Sequence, residues 1–111
     1  MKRKSNLLSF QEQILKENLR RYGRKSPNNE AEKKADKAIE EALRFFWMND
    51  PAKGMVLAQF YFENDRRLTG NELVERIGEK LFCERSVVYA LRTSAEEKIV
   101  QYFYKYGLFT Y

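Results

Sequence analysis

The sequence has 111 residues, 43% hydrophobic and 33% charged, and this length and balance fit one globular domain and exclude a disordered chain. It contains no histidine, which excludes His-based acid–base catalysis and His metal ligands, and its single cysteine excludes an internal disulfide and fits a reducing cytoplasm. No apolar run approaches the roughly 20 residues that span a bilayer, and no glycine-rich phosphate loop occurs, so we expect a non-enzymatic, cytoplasmic protein without cofactor or metal.

The formal net charge of +5 is concentrated at the start of the chain. Residues 1–25 contain eight Lys/Arg and two acidic residues. The net charge is −2 over residues 26–50, zero over residues 51–80 and +1 over residues 81–111. A basic N-terminal segment over residues 1–25 can follow a phosphate backbone without reading its sequence. It can equally be a solvated surface, and the sequence leaves both interpretations open.

Two helices are predicted in the first half of the chain. The capping-box pattern Ser9-Phe-Gln-Glu12 opens a helix that extends to about Tyr22. Residues 23–29 (GRKSPNN) then interrupt it, because Gly, Ser-Pro and paired Asn disfavour a continued helix. From about Glu30 to Met48, apolar residues recur at three-and-four spacing and predict an amphipathic helix. Its bulky end, Phe45-Phe46-Trp47, is interpreted as core packing rather than as a ligand pocket.

A third helix is predicted from Pro51 to about Glu63, with Asp50 as its cap and Pro51 at its first position. Its apolar residues cover a broad arc, so we expect it to support the helices that follow it. Residues 64–70 form a polar connection that contains Arg66 and Arg67. This location suits a phosphate contact, although an ordinary surface loop is an equally good interpretation.

The stretch Asn71–Thr93 (NELVERIGEKLFCERSVVYALRT) predicts two helices joined by a tight turn. The pattern Thr69-Gly-Asn-Glu72 is a capping box that starts the first of them. Gly78 supplies the very small residue that two steeply crossing helices need at their closest approach. Leu81 and Cys83 supply an apolar residue on each side of the turn.

The last helix is predicted from Glu84 to Tyr106, because one apolar stripe that includes Val88 and Leu91 continues through it. Residues 51–106 thus form a helix-turn-helix core with an extended last helix, within a single all-α domain of about five helices over residues 1–111. The aromatic tail 102–111 needs to be covered, either by the first two helices or by a second subunit.

The turn region resembles the helix-turn-helix of the fourth region of bacterial sigma factors. The corresponding residues here are Arg76-Ile77-Gly78 and the run Leu81–Tyr89 (LFCERSVVY). Two residues depart from the usual pattern. Phe82 occupies a position that favours Gly or Asn because the backbone there is left-handed, and Glu84 replaces the usual Ser or Thr cap. With its basic helical leader, the chain is similar to the small phage late-gene regulators of the ArpU or RinA type, which implies a sequence-specific DNA-binding transcriptional regulator.

The helix that begins near Glu84 is expected to enter the major groove of double-stranded DNA. Its side facing away from Val88 and Leu91 supplies candidate base contacts, with Arg85 as the best candidate for a bidentate contact to guanine. Basic residues around the turn are candidate phosphate anchors, which position a protein without specifying sequence. The candidate base contacts are Arg85, Ser86, Tyr89 and Thr93, and the candidate phosphate contacts are Arg66, Arg67, Arg76, Lys80 and Arg92.

The sequence also suggests a second subunit and two alternatives to DNA binding. Binders with one helix-turn-helix commonly dimerise on paired half-sites, so a homodimer through the C-terminal aromatic segment is expected. The alternative to DNA binding is a protein-interaction module that binds RNA polymerase or a host protein, favoured by the nearly neutral helix-turn-helix, by Glu84 and by the abundant aromatics. A viral packaging or assembly component is a third possibility. No membrane partner is expected.

Overall fold

The computed structural model describes residues 7–63 and 68–109, and its regular elements within these ranges are all helical. A short π-helical segment, Ala58–Phe62, continues the third helix without a break. The predicted all-α fold of about five helices is therefore confirmed. The five helices are α1 (Ser9–Arg21), α2 (Glu30–Asn49), α3 (Pro51–Leu57), α4 (Gly70–Leu81) and α5 (Arg85–Lys105).

Side chains cap the starts of α2 and α4. The Asn29 side chain accepts a hydrogen bond of 2.8 Å from the backbone N–H of Glu32. At α4 the predicted capping box is present: the Glu72 amide donates to Thr69 Oγ1 and the Thr69 amide donates to Glu72 Oε1, both at 3.3 Å. These bonds satisfy amides that have no partner within the helix, which explains why both helices begin where they do.

The capping box predicted at Ser9–Glu12 is wrong by one position. Ser9 is already the first helical residue, and the Leu8 amide donates to the side chain of Gln11 at 3.2 Å. Gln11 is fixed in place because its Nε2 also donates to the Tyr104 hydroxyl at 2.6 Å. A contact with the far end of the chain thus selects Gln11, a choice that local sequence could not reveal.

The third predicted helix is present, but its final turn is wound more widely than an α-helix. Asp50 precedes Pro51 as expected, yet its carboxylate pairs with Lys53 Nζ at 3.2 Å and does not cap a backbone amide. In the π-helical segment, the Glu63 amide donates to the Ala58 carbonyl at 2.7 Å. Such π-turns are rare and often occur at functional sites.

Two apolar clusters hold the helices together, and α5 belongs to both. The larger cluster joins α1, α2, α3 and the C-terminal half of α5, whereas the smaller cluster joins α3, α4 and the first turns of α5. Phe60, in the π-helical segment, packs against both clusters. The larger cluster includes Leu15, Leu19, Ile39, Phe46, Ile99 and Phe103, and the buried residues of the smaller cluster are Val56, Leu73, Val74, Ile77 and Val88.

The end of α2 is only partly buried. Phe46 belongs to the core with 1% of its surface exposed, as predicted, but Trp47 is 55% exposed and Phe45 is 37% exposed. Trp47 lies over Gly54, where its indole atoms are 3.4 Å from the position of a Cβ on that residue. The Phe45 ring lies under Lys98 Nζ, 4.4 Å from the ring centroid. The interpretation of this end as core therefore holds for Phe46 alone.

Residues 102–109 of the aromatic tail fold back onto their own chain. Phe109 is 7% exposed and packs against Phe10, Phe103 and Tyr104, with ring centroids 5.5–6.1 Å apart. The Tyr106 hydroxyl donates to a Glu41 oxygen at 2.5 Å. The homodimer predicted through this segment stays a prediction, and the rings that are buried within the chain are not available to it.

Candidate nucleic-acid interface

The contact between α4 and α5 depends on a glycine and on a left-handed residue. A Cβ on residue 78 would lie 2.7 Å from the Cys83 carbonyl oxygen and 3.8 Å from a Val88 methyl group, so only glycine fits at this point. The Cys83 amide donates to the Gly78 carbonyl at 2.9 Å and fastens the turn. Phe82 adopts φ 55° and ψ 46°, the left-handed conformation inferred for this position. The turn therefore comprises Phe82–Glu84, between the end of α4 and the start of α5.

The candidate base-contacting residues lie along the first turns of α5. Val88 is completely buried in the smaller cluster. At 100° per residue, Ser86 lies about 160° and Thr93 about 140° around the helix from Val88, so both are on the side away from that cluster. Ser86, Tyr89 and Thr93 are each half-buried, and the Tyr89 ring also packs against the edge of the cluster. None of the three is sealed inside the protein.

Arg85 is accessible but leans back onto α4. Its side chain is 49% exposed, and its Nη2 donates to Asn71 Oδ1 at 3.1 Å. Its other terminal nitrogen lies 3.9 Å from a Glu75 oxygen. An exposed pair of this kind contributes only about 0–1 kcal/mol, so a stronger ligand can draw the guanidinium away at little cost.

The structure describes three of the five candidate phosphate contacts, and these three differ in exposure. Arg76 and Lys80 are exposed on α4. Arg66 and Arg67 lie outside the described residues. Arg92, by contrast, is half-buried and contacts Glu96, Tyr61 and Phe60, and the structure does not bring it together with Arg76 and Lys80.

Arg92 lies against Phe60, the aromatic residue that packs against both apolar clusters. Its guanidinium lies 4.4 Å from the centroid of the Phe60 ring, its Nε is 3.4 Å from a Glu96 oxygen, and its Nη2 donates to the Tyr61 hydroxyl at 3.2 Å. The Tyr61 hydroxyl in turn donates to Glu96 at 2.5 Å, and the Glu96 side chain is only 8% exposed. Burial and the neighbouring Glu96 carboxylate raise the pKa of Tyr61. The Arg92 guanidinium therefore neutralises a buried carboxylate, and its predicted phosphate contact stays a prediction.

The basic N-terminal segment is divided in a similar way. Arg21 is held inside the fold by Asp36, whose Oδ1 is 2.6 Å from Arg21 Nη2. Arg24 Nη2 donates to the Tyr61 carbonyl at 3.0 Å and ties this segment to the π-helical segment. Arg20 and Lys25 are exposed. Part of the positive charge of this segment therefore serves contacts within the fold. A count of charges along the sequence could not distinguish these residues from the exposed ones.

A cleft on the outer side of the turn was missed by sequence reasoning. Phe82 forms one wall and is 96% exposed, and Glu75, Glu79 and Glu84 also line the cleft. The four-residue spacing of Glu75 and Glu79 was the available signal, because residues i and i+4 share one face of a helix. Arg76 and Lys80 are not among the lining residues, so the carboxylates and the cations of α4 occupy different faces.

Comparisons with known proteins do not add an assignment: no family model, no curated protein and no solved structure matches this chain. Within residues 7–63 and 68–109, no helix is both long and apolar enough to cross a bilayer. The same residues contain no group of three or more side chains suited to holding a metal ion.

Proposed function

We propose that the protein is a DNA-binding transcriptional regulator, of the phage regulator type suggested by its sequence, and that the first turns of α5 enter the major groove. The close approach of Gly78 to Cys83 is the observation that carries this proposal. It fixes α5 against α4 so that the side of α5 facing away from Val88 is available to a duplex. A recognition helix held by a preceding helix in this way is the arrangement that helix-turn-helix proteins use.

Arg85 is the residue we propose to read a base. Its exposed guanidinium exchanges Asn71 and Glu75 for the O6 and N7 atoms of a guanine, a bidentate contact worth about 1–3 kcal/mol of discrimination. Ser86, Tyr89 and Thr93 supply shorter-range contacts to base edges or to thymine methyl groups. Because Arg92 is occupied by Glu96 and Tyr61, we leave it out of the DNA contacts and assign to it the support of α5.

The phosphate contacts proposed on this side are Arg76 and Lys80, with Arg66 and Arg67 from the connection that precedes α4. Phosphate contacts position a protein on the duplex, so their loss weakens binding to every sequence alike. The loss of a base contact instead reduces the difference in binding affinity between the preferred sequence and other sequences. These two signatures can be separated in one experiment.

The test is a fluorescence-anisotropy titration against a duplex selected from a random library and against the same duplex with shuffled bases. Arg85→Ala should reduce the preference for the selected duplex about tenfold, whereas Lys80→Ala should weaken both duplexes to a similar extent. Arg44→Ala is the matched control, because it removes one arginine from α2. The Arg44 side chain is 66% exposed. If Arg85→Ala and Lys80→Ala both bind like the control, the proposal is wrong, and the protein-interaction alternative takes its place.

A further inference from the structure

The cleft beside the turn has an apolar floor and an acidic rim. Val74, Gly78 and Cys83 line it together with the exposed Phe82 ring. Glu75, Glu79 and Glu84 surround these residues, and Arg85 at one end is engaged with Glu75 and Asn71. No described residue forms an ion pair with Glu79 or Glu84. A ligand for this cleft should therefore present an apolar side chain together with several positive charges.

The chain itself carries a segment of that chemistry. Lys2-Arg3-Lys4 is followed at close range by Leu8 and Phe10, which are 59% and 55% exposed in the structure. Three cations and two exposed apolar side chains thus lie within nine consecutive residues, in the part of the chain that holds most of the net positive charge. The cleft offers three carboxylates and one exposed aromatic ring, so charge and polarity are complementary.

The backbone of this basic segment is too short to extend to the cleft of its own chain. Gln11 is hydrogen-bonded to Tyr104, near the C-terminal end of α5. Arg24 is hydrogen-bonded to Tyr61, which contacts Glu96 nearer the middle of α5. α1 therefore enters the fold at the end of α5 opposite to the cleft. Residues 85 and 104 are about 28 Å apart along a helix, whereas the six residues from Lys2 to Leu7 span at most about 21 Å.

We infer that the cleft of one copy binds the basic N-terminal segment, residues 2–10, of a second copy. Because the cleft and the start of α1 lie at opposite ends of α5, two copies arranged antiparallel bring the N-terminal segment of each copy towards the cleft of the other. Both contacts are then made at once and the assembly closes as a two-fold dimer. The inference does not rest on DNA binding, and its test contains no DNA.

The experiment is sedimentation velocity of the full chain over a wide concentration range at low and high salt. We expect a monomer–dimer equilibrium that weakens as salt rises, because screening reduces the attraction between exposed charges. Glu75→Gln combined with Glu79→Gln should weaken the dimer about fourfold to several hundredfold, because two exposed ion pairs are lost at each of the two symmetric contacts. Glu30→Gln combined with Glu40→Gln is the matched control, since it removes the same charge from exposed positions of α2.

A charge exchange makes the test independent of folding. One variant carries Lys2→Glu, Arg3→Glu and Lys4→Glu, and the other carries Glu75→Lys and Glu79→Lys. Each variant alone should remain monomeric, and an equimolar mixture should form the dimer again, because opposite charges then meet at both contacts. Phe82→Gly should also weaken the dimer at least about threefold, as expected for loss of an aromatic anchor.

Several results would overturn the inference. These are a chain that stays monomeric at millimolar concentration and low salt, a dimer that Glu75→Gln/Glu79→Gln leaves unchanged, and a mixture of the exchanged variants that does not associate. A synthetic peptide of residues 2–10 that binds the cleft while the full chain stays monomeric would assign the cleft to a basic segment of another protein.

Discussion

Substituting Gly78 by alanine tests the packing on which the interface depends. In an exposed helix this change stabilises by about 1 kcal/mol, because alanine restricts the unfolded chain and favours helix. Here the added Cβ would lie 2.7 Å from the Cys83 carbonyl oxygen, a backbone atom that the Cys83 amide hydrogen bond to Gly78 holds in place. Overpacking of this kind costs about 1–3 kcal/mol, which exceeds the helical gain.

We therefore expect Gly78→Ala to lower the free energy of unfolding by about 1 kcal/mol, measured by urea unfolding followed by far-UV circular dichroism. Gly70→Ala is the control within the same helix, because a Cβ at residue 70 would meet nothing within 4 Å. It should be neutral or slightly stabilising. An increase in stability for Gly78→Ala, equal to that for Gly70→Ala, would show that α4 and α5 do not approach as described.

Three further changes test other parts of the molecule. Phe82→Gly should raise the free energy of unfolding by about 1 kcal/mol in the same urea experiment, because a left-handed, 96% exposed phenylalanine is strained and buries little. A decrease would contradict that backbone conformation. Tyr61→Phe should lower it by about 1–3 kcal/mol, since the buried Glu96 carboxylate loses a donor, and Tyr106→Phe, which affects only the more exposed Glu41, should cost less. Equal losses would contradict the burial of the Tyr61 contact. Glu41→Gln should reduce the acid sensitivity of thermal unfolding. The Lys105 and Tyr106 hydrogen bonds lower the pKa of Glu41 below its usual 4.5, so its stabilisation is present above that value and is lost as pH falls through the lowered pKa. If the melting temperatures of the wild type and Glu41→Gln change equally with pH, Glu41 makes no such contribution.

Local patterns predicted most of the helical framework. The three-and-four spacing placed α2 and α5 to within about two residues at each end, the usual margin for helix boundaries. The Thr69 capping box and the small Gly78 were identified correctly, because each depends on residues that are near one another in sequence. The left-handed conformation of Phe82 was expected from the resemblance to a helix-turn-helix, in which Gly or Asn is usual at this position.

The remaining features depend on contacts between distant residues. Gln11 replaces Glu12 in the first cap because Tyr104 holds its side chain. Arg92 looked like an exposed cation on the amphipathic α5, yet the π-helical segment brings Phe60 and Tyr61 against it. No local pattern predicted that a single turn of π-helix would place these two rings against Arg92.

In the proposed complex, the turn presents the first half of α5 to DNA. The most direct measurement is a ¹H–¹⁵N correlation titration of the full chain with its selected duplex. We predict that the largest changes in amide shifts fall on residues 84–93 and on α4, while the amides of α2 remain unchanged. Changes confined to α1, or none in the first half of α5 at saturating DNA, would contradict the claim.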